Sequence, residues 1–165
     1  MDASPGVAPV VIVGGAMGGL RAAEALRKSG YAGPLKVIGQ ELHAPYNRPP
    51  LSKEVLSTVV THEAVAFPQR AATEDVEWVR GVTAVAADLD ARTVTTDDGA
   101  RHPWRALVIA TGLRARRLDL PELAGRHSLR TLDDAIALRE TLAEGCRLVV
   151  LGSGFNDAWN HTIDL

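Results

Sequence analysis

The sequence has little cysteine and no excess of either charge, and both features exclude classes of protein. Cys146 is the only cysteine, which excludes an internal disulfide and a two-cysteine redox pair and favours the cytoplasm as the compartment. The 18 Lys and Arg residues nearly balance the 20 Asp and Glu residues, so the formal net charge is only -2. Such a weak charge favours neither nucleic acid nor an acidic membrane surface as a partner.

Membrane-type runs and metal-ligand patterns are also missing. Residues 3–20 carry no charge, but this stretch contains two prolines and five glycines and follows no basic residue. We therefore expect neither a transmembrane helix nor a secretory signal there. The histidines show no ligand spacing with one another or with Cys146, so no metal site is predicted. They are His43, His62, His102, His127 and His161.

What remains is typical of a soluble globular protein of one domain or slightly more, because 46% of the residues are apolar and 23% are charged. Four short apolar runs predict buried parallel strands, at residues 10–13, 35–38, 107–110 and 148–151. Helical spacing predicts a helix over residues 20–29 and another that extends to Gly145. The second helix begins with a capping box formed by Thr131 and Asp134.

The stretch from Val76 to Trp104 predicts three short antiparallel strands. The turn dipeptides Asp90-Ala91 and Asp98-Gly99 separate them. Together with the alternation of strands and helices, this pattern predicts an α/β fold. We expect a Rossmann-like domain with a parallel sheet plus a small three-stranded antiparallel meander.

A glycine-rich loop follows the first strand, as a dinucleotide-binding fold requires. Gly14, Ala16 and Gly19 occupy the three positions of the G-x-G-x-x-G pattern, and Gly15 and Gly18 keep the loop slim. The first glycine allows a tight turn, and the last lets the helix and the strand pack closely. The backbone N–H groups and the dipole at the helix start then suit a pyrophosphate, although Ala16 adds a methyl group at the middle position.

Glu41 lies 22 residues beyond Gly19, where a carboxylate can accept a hydrogen bond from an adenosine ribose. The pattern predicts a nucleotide site, but it does not distinguish NAD from FAD, since both contain ADP. A methyltransferase loop and a glycine turn without a ligand remain alternatives. A short-chain dehydrogenase is disfavoured, because neither Tyr31 nor Tyr46 has a lysine four residues later.

The string Pro45-Tyr-Asn-Arg-Pro-Pro-Leu-Ser-Lys53 follows Glu41 and resembles the signature of FAD-dependent ferredoxin reductases. These are the rubredoxin and putidaredoxin reductase type within the pyridine nucleotide–disulfide oxidoreductase superfamily. Further segments resemble the family in the same order, and the resemblance covers residues 8–155. These segments are 81–85, Ala110-Thr111-Gly112, Arg116, 129–139 and 152–155.

The resemblance implies FAD as the cofactor and suggests its contacts. The glycine loop and Glu41 would hold the ADP half, while Arg48 and Lys53 would reach the pyrophosphate and the flavin. Lys53 is the candidate catalytic residue, because a cation beside the flavin ring can favour the reduced, anionic form. The cofactor-binding candidates are Gly14, Gly15, Ala16, Gly18, Gly19, Glu41, Arg48, Lys53, Val82, Ala110, Thr111, Gly112 and Arg116.

The resemblance also implies a reaction, in which hydride passes from NAD(P)H to FAD and electrons then pass to a ferredoxin-type acceptor. The flavin carries this chemistry, so no protein nucleophile is needed. The lack of a cysteine pair after the second strand argues against the disulfide-reductase branch of the superfamily. Cys146 is then expected to be a small structural residue at a helix–strand junction.

The second glycine segment departs from the family. Gly152 and Gly154 resemble the start of an NAD fingerprint, but Asp157 stands at its third glycine position, and Trp159 stands where the family has a glutamate. We therefore expect a vestigial NAD loop and a truncated chain that is inactive alone. A non-enzymatic nucleotide-binding module, half of a two-chain flavoprotein and an NAD-dependent dehydrogenase remain alternatives.

Three segments are expected along the chain. They are the N-terminal part of an FAD-binding domain (1–112), a linker and helix (113–145), and the first strand of a truncated NAD(P)-binding domain with an atypical tail (146–165). Truncation would leave an exposed sheet edge or apolar patch. An arginine cluster could face a phosphate or an acidic ferredoxin, or form a solvated surface. Its members are Arg114, Arg116, Arg117, Arg126 and Arg130.

Overall fold

A computed structural model describes residues 7–68, 70–115, 119, 125–143 and 145–151. Two short 3-10 turns, Pro49–Ser52 and Ala71–Thr73, accompany the regular elements. In chain order these elements are β1 (Val10–Val13), α1 (Met17–Lys28), β2 (Leu35–Gly39), α2 (Glu54–Ser57), α3 (His62–Val65), β3 (Glu77–Arg80), β4 (Ala84–Asp88), β5 (Thr93–Thr96), β6 (Arg101–Pro103), β7 (Ala106–Ile109) and α4 (Leu132–Thr141).

The described strands form two sheets. One is a four-stranded sheet in the order β3-β2-β1-β7, and its neighbouring strands pair in parallel. The other is a three-stranded antiparallel sheet in the order β4-β5-β6, which we call the meander. The predicted α/β class, with a parallel sheet and a small antiparallel meander, is therefore confirmed.

The core lies on both faces of β1, because successive side chains of a strand point to opposite sides of the sheet. On one face, Ile12 packs in a cluster with Ala23 of α1. On the other face, Val11 packs with Ile38 of β2 and Val94 of the meander. All five side chains are buried. Burial on both faces explains why β1 is an uninterrupted apolar run rather than an alternating one.

Two predictions about these elements need correction. Helix α1 begins at Met17 rather than at residue 20, so Gly18 and Gly19 lie in its first turn. The stretch 76–104 contains four strands, and β3, the first of them, pairs in parallel with β2 instead of joining the meander. The residues of a strand do not reveal its partner strand, so the sequence could not assign β3. The turns predicted at Asp90-Ala91 and Asp98-Gly99 are confirmed.

The chain divides into two compact units, which are described separately. The first comprises the described residues of Met1–Tyr46 and Ala66–Gly112 and contains both sheets and α1. The second comprises those of Asn47–Val65 and Leu113–Leu165 and contains α2, α3 and α4. The first unit ends at Gly112. Residues 47–65, expected within the segment 1–112, group with the second unit.

In the second unit, α4 has the predicted start. Asp134 N–H donates to Thr131 Oγ1 at 3.1 Å, and Thr131 N–H donates to Asp134 Oδ2 at 2.9 Å, which confirms the capping box. Near the other end of the helix, Arg139 Nη1 donates to the carbonyl oxygens of Val55 at 3.3 Å and Thr58 at 3.0 Å. These bonds tie α4 to α2. The helix ends at Thr141, before the predicted end at residue 145.

The predicted buried strand at 148–151 is wrong. The structure shows no strand in this segment, and its four side chains are exposed, with Val149 at 79%. A strand is held by hydrogen bonds to a neighbouring strand, and none of the described strands pairs with this segment. Cys146 is also exposed, so it is not a packed structural residue. No helix in the described part of the chain is long and apolar enough to cross a membrane.

Candidate functional site

The candidate site lies in the first unit, at the carboxyl ends of β1, β2 and β7. Gly14 N–H donates to the Ile38 carbonyl oxygen at 2.8 Å, and Ala110 N–H donates to the Val13 carbonyl oxygen at 2.7 Å. These two bonds join the ends of the three strands. In open α/β sheets, ligands bind outside this edge. The edge therefore forms a hydrogen-bonded base for the glycine loop.

Two positions in the loop admit only glycine. Gly14 has a φ of +127°, and a Cβ atom there would lie 2.1 Å from the carbonyl oxygen of Ala110. A Cβ atom at Gly19 would lie 1.9 Å from the carbonyl oxygen of Gly14. The chain thus makes the tight turn and the close helix–strand approach that the glycine pattern predicts. By contrast, a Cβ atom at Gly18 would make an ordinary contact, at 3.6 Å from the Cβ of Ala110.

A second close approach was missed in the sequence. A Cβ atom at Gly39, the last residue of β2, would lie 2.8 Å from the Cα atom of Gly15. The backbone of the loop therefore packs directly on the end of β2. The available signal was a glycine at the strand end two residues before Glu41, but a single glycine does not reveal what it contacts.

The start of α1 fits an anionic group. Its N-cap residue, Ala16, makes no side-chain capping hydrogen bond, and the first turn contains no acidic residue. The first backbone N–H groups of a helix have no acceptor within the helix and carry the positive end of its dipole. These N–H groups are therefore suited to a phosphate, whose oxygens would accept the hydrogen bonds that no capping side chain accepts.

Glu41 lies just beyond β2 and is partly buried. Its carbonyl oxygen accepts a hydrogen bond from Gly81 N–H at 3.3 Å, and Val82 N–H donates to the Gly39 carbonyl oxygen at 3.3 Å. The structure therefore brings together Glu41 and the 81–85 segment, which are 40 residues apart in the sequence. It places both beside the strand end that supports the glycine loop.

The Glu41 side chain has a partner that the sequence reasoning did not identify. The Tyr46 hydroxyl donates a hydrogen bond to Glu41 Oε2 at 2.5 Å. Tyr46 is buried, and the His43 ring meets its ring edge-on at a centroid distance of 6.3 Å. The sequence shows only a tyrosine five residues after a carboxylate within a proline-rich string, which does not specify this contact.

Arg48 and Lys53 belong to the second unit. Arg48 precedes the turn Pro49–Ser52, and its Nη1 donates to the carbonyl oxygen of Arg130 at 2.5 Å. Lys53 lies between that turn and α2, where its N–H donates to the Pro50 carbonyl oxygen at 3.1 Å. Both side chains are partly buried.

The remaining candidates lie beyond β7 or outside the description. Thr111 and Gly112 are exposed, and Gly112 has a φ of +70°. In the arginine cluster, Arg130 Nε donates to the carbonyl oxygen of Leu113 at 3.0 Å. The candidates Arg116, Gly152 and Gly154 lie outside the described residues, as do Arg117, Asp157 and Trp159 of the sequence argument.

The meander contains a buried polar group. Thr96 Oγ1 lies 3.2 Å from His102 Nε2 and donates to Asp98 Oδ1 at 2.6 Å. Burial lowers the pKa of His102, and nearby Lys36 lowers it further, while Asp98 and Glu77 act in the opposite direction. The hydrogen bond from Thr96 lowers the pKa of Asp98. Within the described ranges, no group of three or more His, Cys, Asp or Glu side chains is placed to hold a metal ion.

Comparison with known sequences gives one family. The family model described as pyridine nucleotide-disulphide oxidoreductase matches residues 8–156. The chain is 40% identical over 148 residues to the ferredoxin reductase component of chlorobenzene dioxygenase from Cupriavidus sp. (strain PS12), covering 88% of this chain and 36% of that protein. It is 35% identical over 149 residues to rubredoxin-NAD(+) reductase from Pseudomonas putida, covering 88% of this chain and 39% of that protein.

Comparison with solved structures also finds ferredoxin and putidaredoxin reductases. The covalent putidaredoxin reductase–putidaredoxin complex matches with a TM-score of 0.72 and 32% identity, over 81% of this chain and 34% of that chain. The ferredoxin reductase for the CYP199A2 system from Rhodopseudomonas palustris matches with a TM-score of 0.73 and 34% identity, over 80% of this chain and 33% of that one. The chain spans little more than a third of the length of the curated relatives that it matches.

Proposed function

The chain belongs to the pyridine nucleotide-disulphide oxidoreductase family, and from this premise we propose that it forms the FAD-binding part of an NAD(P)H:ferredoxin reductase-type enzyme. In such an enzyme, hydride passes from NAD(P)H to FAD, and electrons then pass to a ferredoxin-type acceptor in the cytoplasm. The names of the relatives support the acceptor class, since they are reductases of ferredoxin or rubredoxin. The activity is proposed for a protein that also contains the regions of those relatives that this chain does not span.

One observation carries the proposal. The glycine loop (residues 14–19) and the ends of β1, β2 and β7 beside it, which together we call the loop edge, fit the ADP half of FAD. Gly14 and Gly19 have no side chain at two positions where a Cβ atom would collide with the backbone. The uncapped start of α1 presents N–H groups for a phosphate, and Glu41 presents a carboxylate for the ribose. When bound, FAD supplies the capacity to accept hydride and release single electrons. The residues of the edge bind the cofactor and orient it.

We propose further contacts from the resemblance of residues 45–53 and the later segments to the ferredoxin reductase family. Arg48 would hold a phosphate, because a guanidinium has five N–H donors and can bond the Arg130 carbonyl oxygen and a phosphate together. Lys53 would be the cation beside the flavin and remains the candidate catalytic residue. Arg116 would add a further contact. Gly152 and Gly154 would be a vestige of an NAD loop, which belongs to the proposed NAD(P)-binding segment 146–165.

The test is cofactor binding by the purified chain. We expect flavin absorbance, or a rise in melting temperature when FAD is added. Glu41→Ala should weaken FAD binding about 10-fold or more, because a hydrogen bond to a charged group is lost. Gly14→Val should abolish it, since its side chain would displace the Ala110 carbonyl group.

Cys146→Ser is the control, because that side chain is exposed and far along the chain from the loop edge. Equal FAD affinity in the three variants would reject the site assignment. A chain that is colourless and gains no stability from FAD would reject the proposed function.

A second candidate is a nucleotide-binding module that works with a second polypeptide. It is favoured by β7, which lies at one end of the four-stranded sheet and carries Ile109 with 73% of its surface exposed. An unpaired strand edge can accept another strand. Light scattering after size-exclusion chromatography separates the candidates. If the chain is monomeric and binds FAD, a second polypeptide is not required for nucleotide binding, and this candidate is rejected.

A further inference from the structure

Tyr46 makes a short, charge-assisted contact with the proposed ribose-binding carboxylate. Its hydroxyl lies 2.5 Å from Glu41 Oε2, within the range of strong O–H to carboxylate bonds. Only 4% of Tyr46 is exposed, so the bond is largely shielded from water. A shielded hydrogen bond to a charged group contributes more than one at the surface. The contact therefore restrains the carboxylate from one side.

Both partners are held by backbone contacts of their own. Tyr46 forms an isolated antiparallel bridge with Ala66, supported by the bond from Phe67 N–H to the Pro45 carbonyl oxygen at 2.9 Å. The bond from Gly81 N–H fixes the backbone of Glu41. The backbone of Tyr46 is thus held in place beside its acceptor. Glu41 is restrained at two points, its backbone carbonyl group and its Oε2 atom.

We propose that Tyr46 is a positioning residue, which orients the Glu41 carboxylate to accept a hydrogen bond from an adenosine ribose hydroxyl. This inference rests on the proposed function, because it requires a ribose at the loop edge. A carboxylate has about four acceptor positions, so the bond from Tyr46 leaves capacity for a ribose hydroxyl. A glutamate side chain that is ordered before binding does not lose its rotamer freedom when the nucleotide binds.

The variant Tyr46→Phe tests this inference, because it keeps the ring and removes the donor. Binding of ADP and of 2′,3′-dideoxy-ADP to the full chain is measured by calorimetry. We expect ADP to bind about 3- to 10-fold more weakly, the effect of one side chain ordered on binding. Dideoxy-ADP has no ribose hydroxyl for Glu41, so its affinity should not change.

The chain's other tyrosine gives a matched control. Tyr31→Phe also removes one hydroxyl from the first unit, but this hydroxyl donates to the Pro34 carbonyl oxygen at 3.3 Å. Neither ligand should bind differently to this variant. If Tyr46 only supported the packing, Tyr46→Phe would weaken ADP and dideoxy-ADP equally. That result, or no change for ADP, would overturn the inference.

A second variant keeps the test independent of small changes in folding. In a Glu41→Ala background, Tyr46→Phe should produce no further loss of ADP affinity, because no side-chain acceptor remains at position 41 for the hydroxyl to orient. An equal loss in both backgrounds would overturn the positioning role. A wild-type chain that binds neither nucleotide would instead overturn the proposed function and this inference with it. The two failures are therefore distinguishable in one set of titrations.

Discussion

Two segments of the chain combine an apolar run with glycines that follow it, and they have different structures. β1 is hydrogen-bonded to β2 on one side and to β7 on the other, and its side chains are packed on both faces. Residues 148–151 form no strand in the described structure and are exposed. The two runs have similar residue types, since both consist only of Val, Ile or Leu. The difference shows that a buried strand depends on its neighbours as much as on its own side chains.

The neighbours of β1 also determine what its glycines do. Gly14 is packed against Ala110 at the end of β7, and Gly15 is packed against Gly39 at the end of β2. The loop therefore has a defined shape because the two flanking strands end beside it. A glycine loop without such strands has the same freedom in φ and ψ but no reason to adopt one conformation.

The largest expected effect is at Gly19, where helix α1 meets the loop. In Gly19→Ala, the new Cβ atom would lie 1.9 Å from the Gly14 carbonyl oxygen, so the helix or the loop must shift. We expect a loss of about 3 kcal/mol in the free energy of unfolding and no measurable FAD binding. Urea titration and FAD titration measure the two effects.

Gly18→Ala is the matched control, because it is the same change one residue earlier in the same helical turn. The added Cβ atom makes an ordinary contact, and alanine favours the helix by up to about 1 kcal/mol. Its stability should be unchanged or slightly higher. Similar losses in both variants would contradict the close approach of α1 to the loop.

A single type of substitution compares the two apolar segments directly. Val11→Ala removes two methyl groups from a fully buried site and should lower the free energy of unfolding by about 2 kcal/mol. Val149→Ala makes the same change at a side chain that is 79% exposed, and the effect should stay within about 0.5 kcal/mol. A large effect at Val149 in urea unfolding would show that residues 148–151 are packed in solution.

A smaller effect concerns the meander, whose Val94 packs against Val11. The pKa of His102 lies below its ordinary value of 6.5 in the folded chain, so the unfolded chain binds the proton more readily. The free energy of unfolding should therefore be at its full value above pH 6.5 and decrease as the pH falls below it. Urea titrations across this range measure the decrease.

His102→Gln should reduce this pH dependence, because it removes the group whose pKa is lowered by burial. An unchanged pH profile in His102→Gln would show that His102 is not its source. The comparison tests whether the packing on this face of β1 is sensitive to acid.

The smallest effect is expected at Cys146, just before the second apolar segment. Cys146→Ser should leave the melting temperature and the FAD affinity unchanged, because the thiol is exposed. In the wild-type chain, a thiol reagent should label it without denaturant. Labelling only after unfolding would show that this part of the chain is packed, as the sequence led us to expect.

Local patterns were sufficient for much of the fold and for the frame of the site. The glycine spacing from Gly14 to Gly19, the turn at Asp98-Gly99 and the capping box at Thr131 each depend on a few adjacent residues, whose stereochemistry is the same wherever they occur. The sequence therefore predicted these features, together with the α/β class.

Other features depend on residues that are distant in the chain. β3 pairs with β2 instead of joining the meander, and Gly39 packs on Gly15. Tyr46 is close to Glu41 in the sequence, but the residue whose hydroxyl bonds to the carboxylate also forms a backbone bridge with Ala66, 20 residues further along the chain.

The amino-acid sequence was therefore enough to establish the chain's family, its α/β class and the glycine loop, because motifs and periodicity are local properties. The tertiary structure was needed to show which strands pair, which side chain bonds to Glu41 and why one apolar run is a central strand while the other is exposed. The physical reason is that hydrogen bonding between strands and burial of side chains require two segments to meet. The stabilisation belongs to the pair and cannot be read from either segment alone.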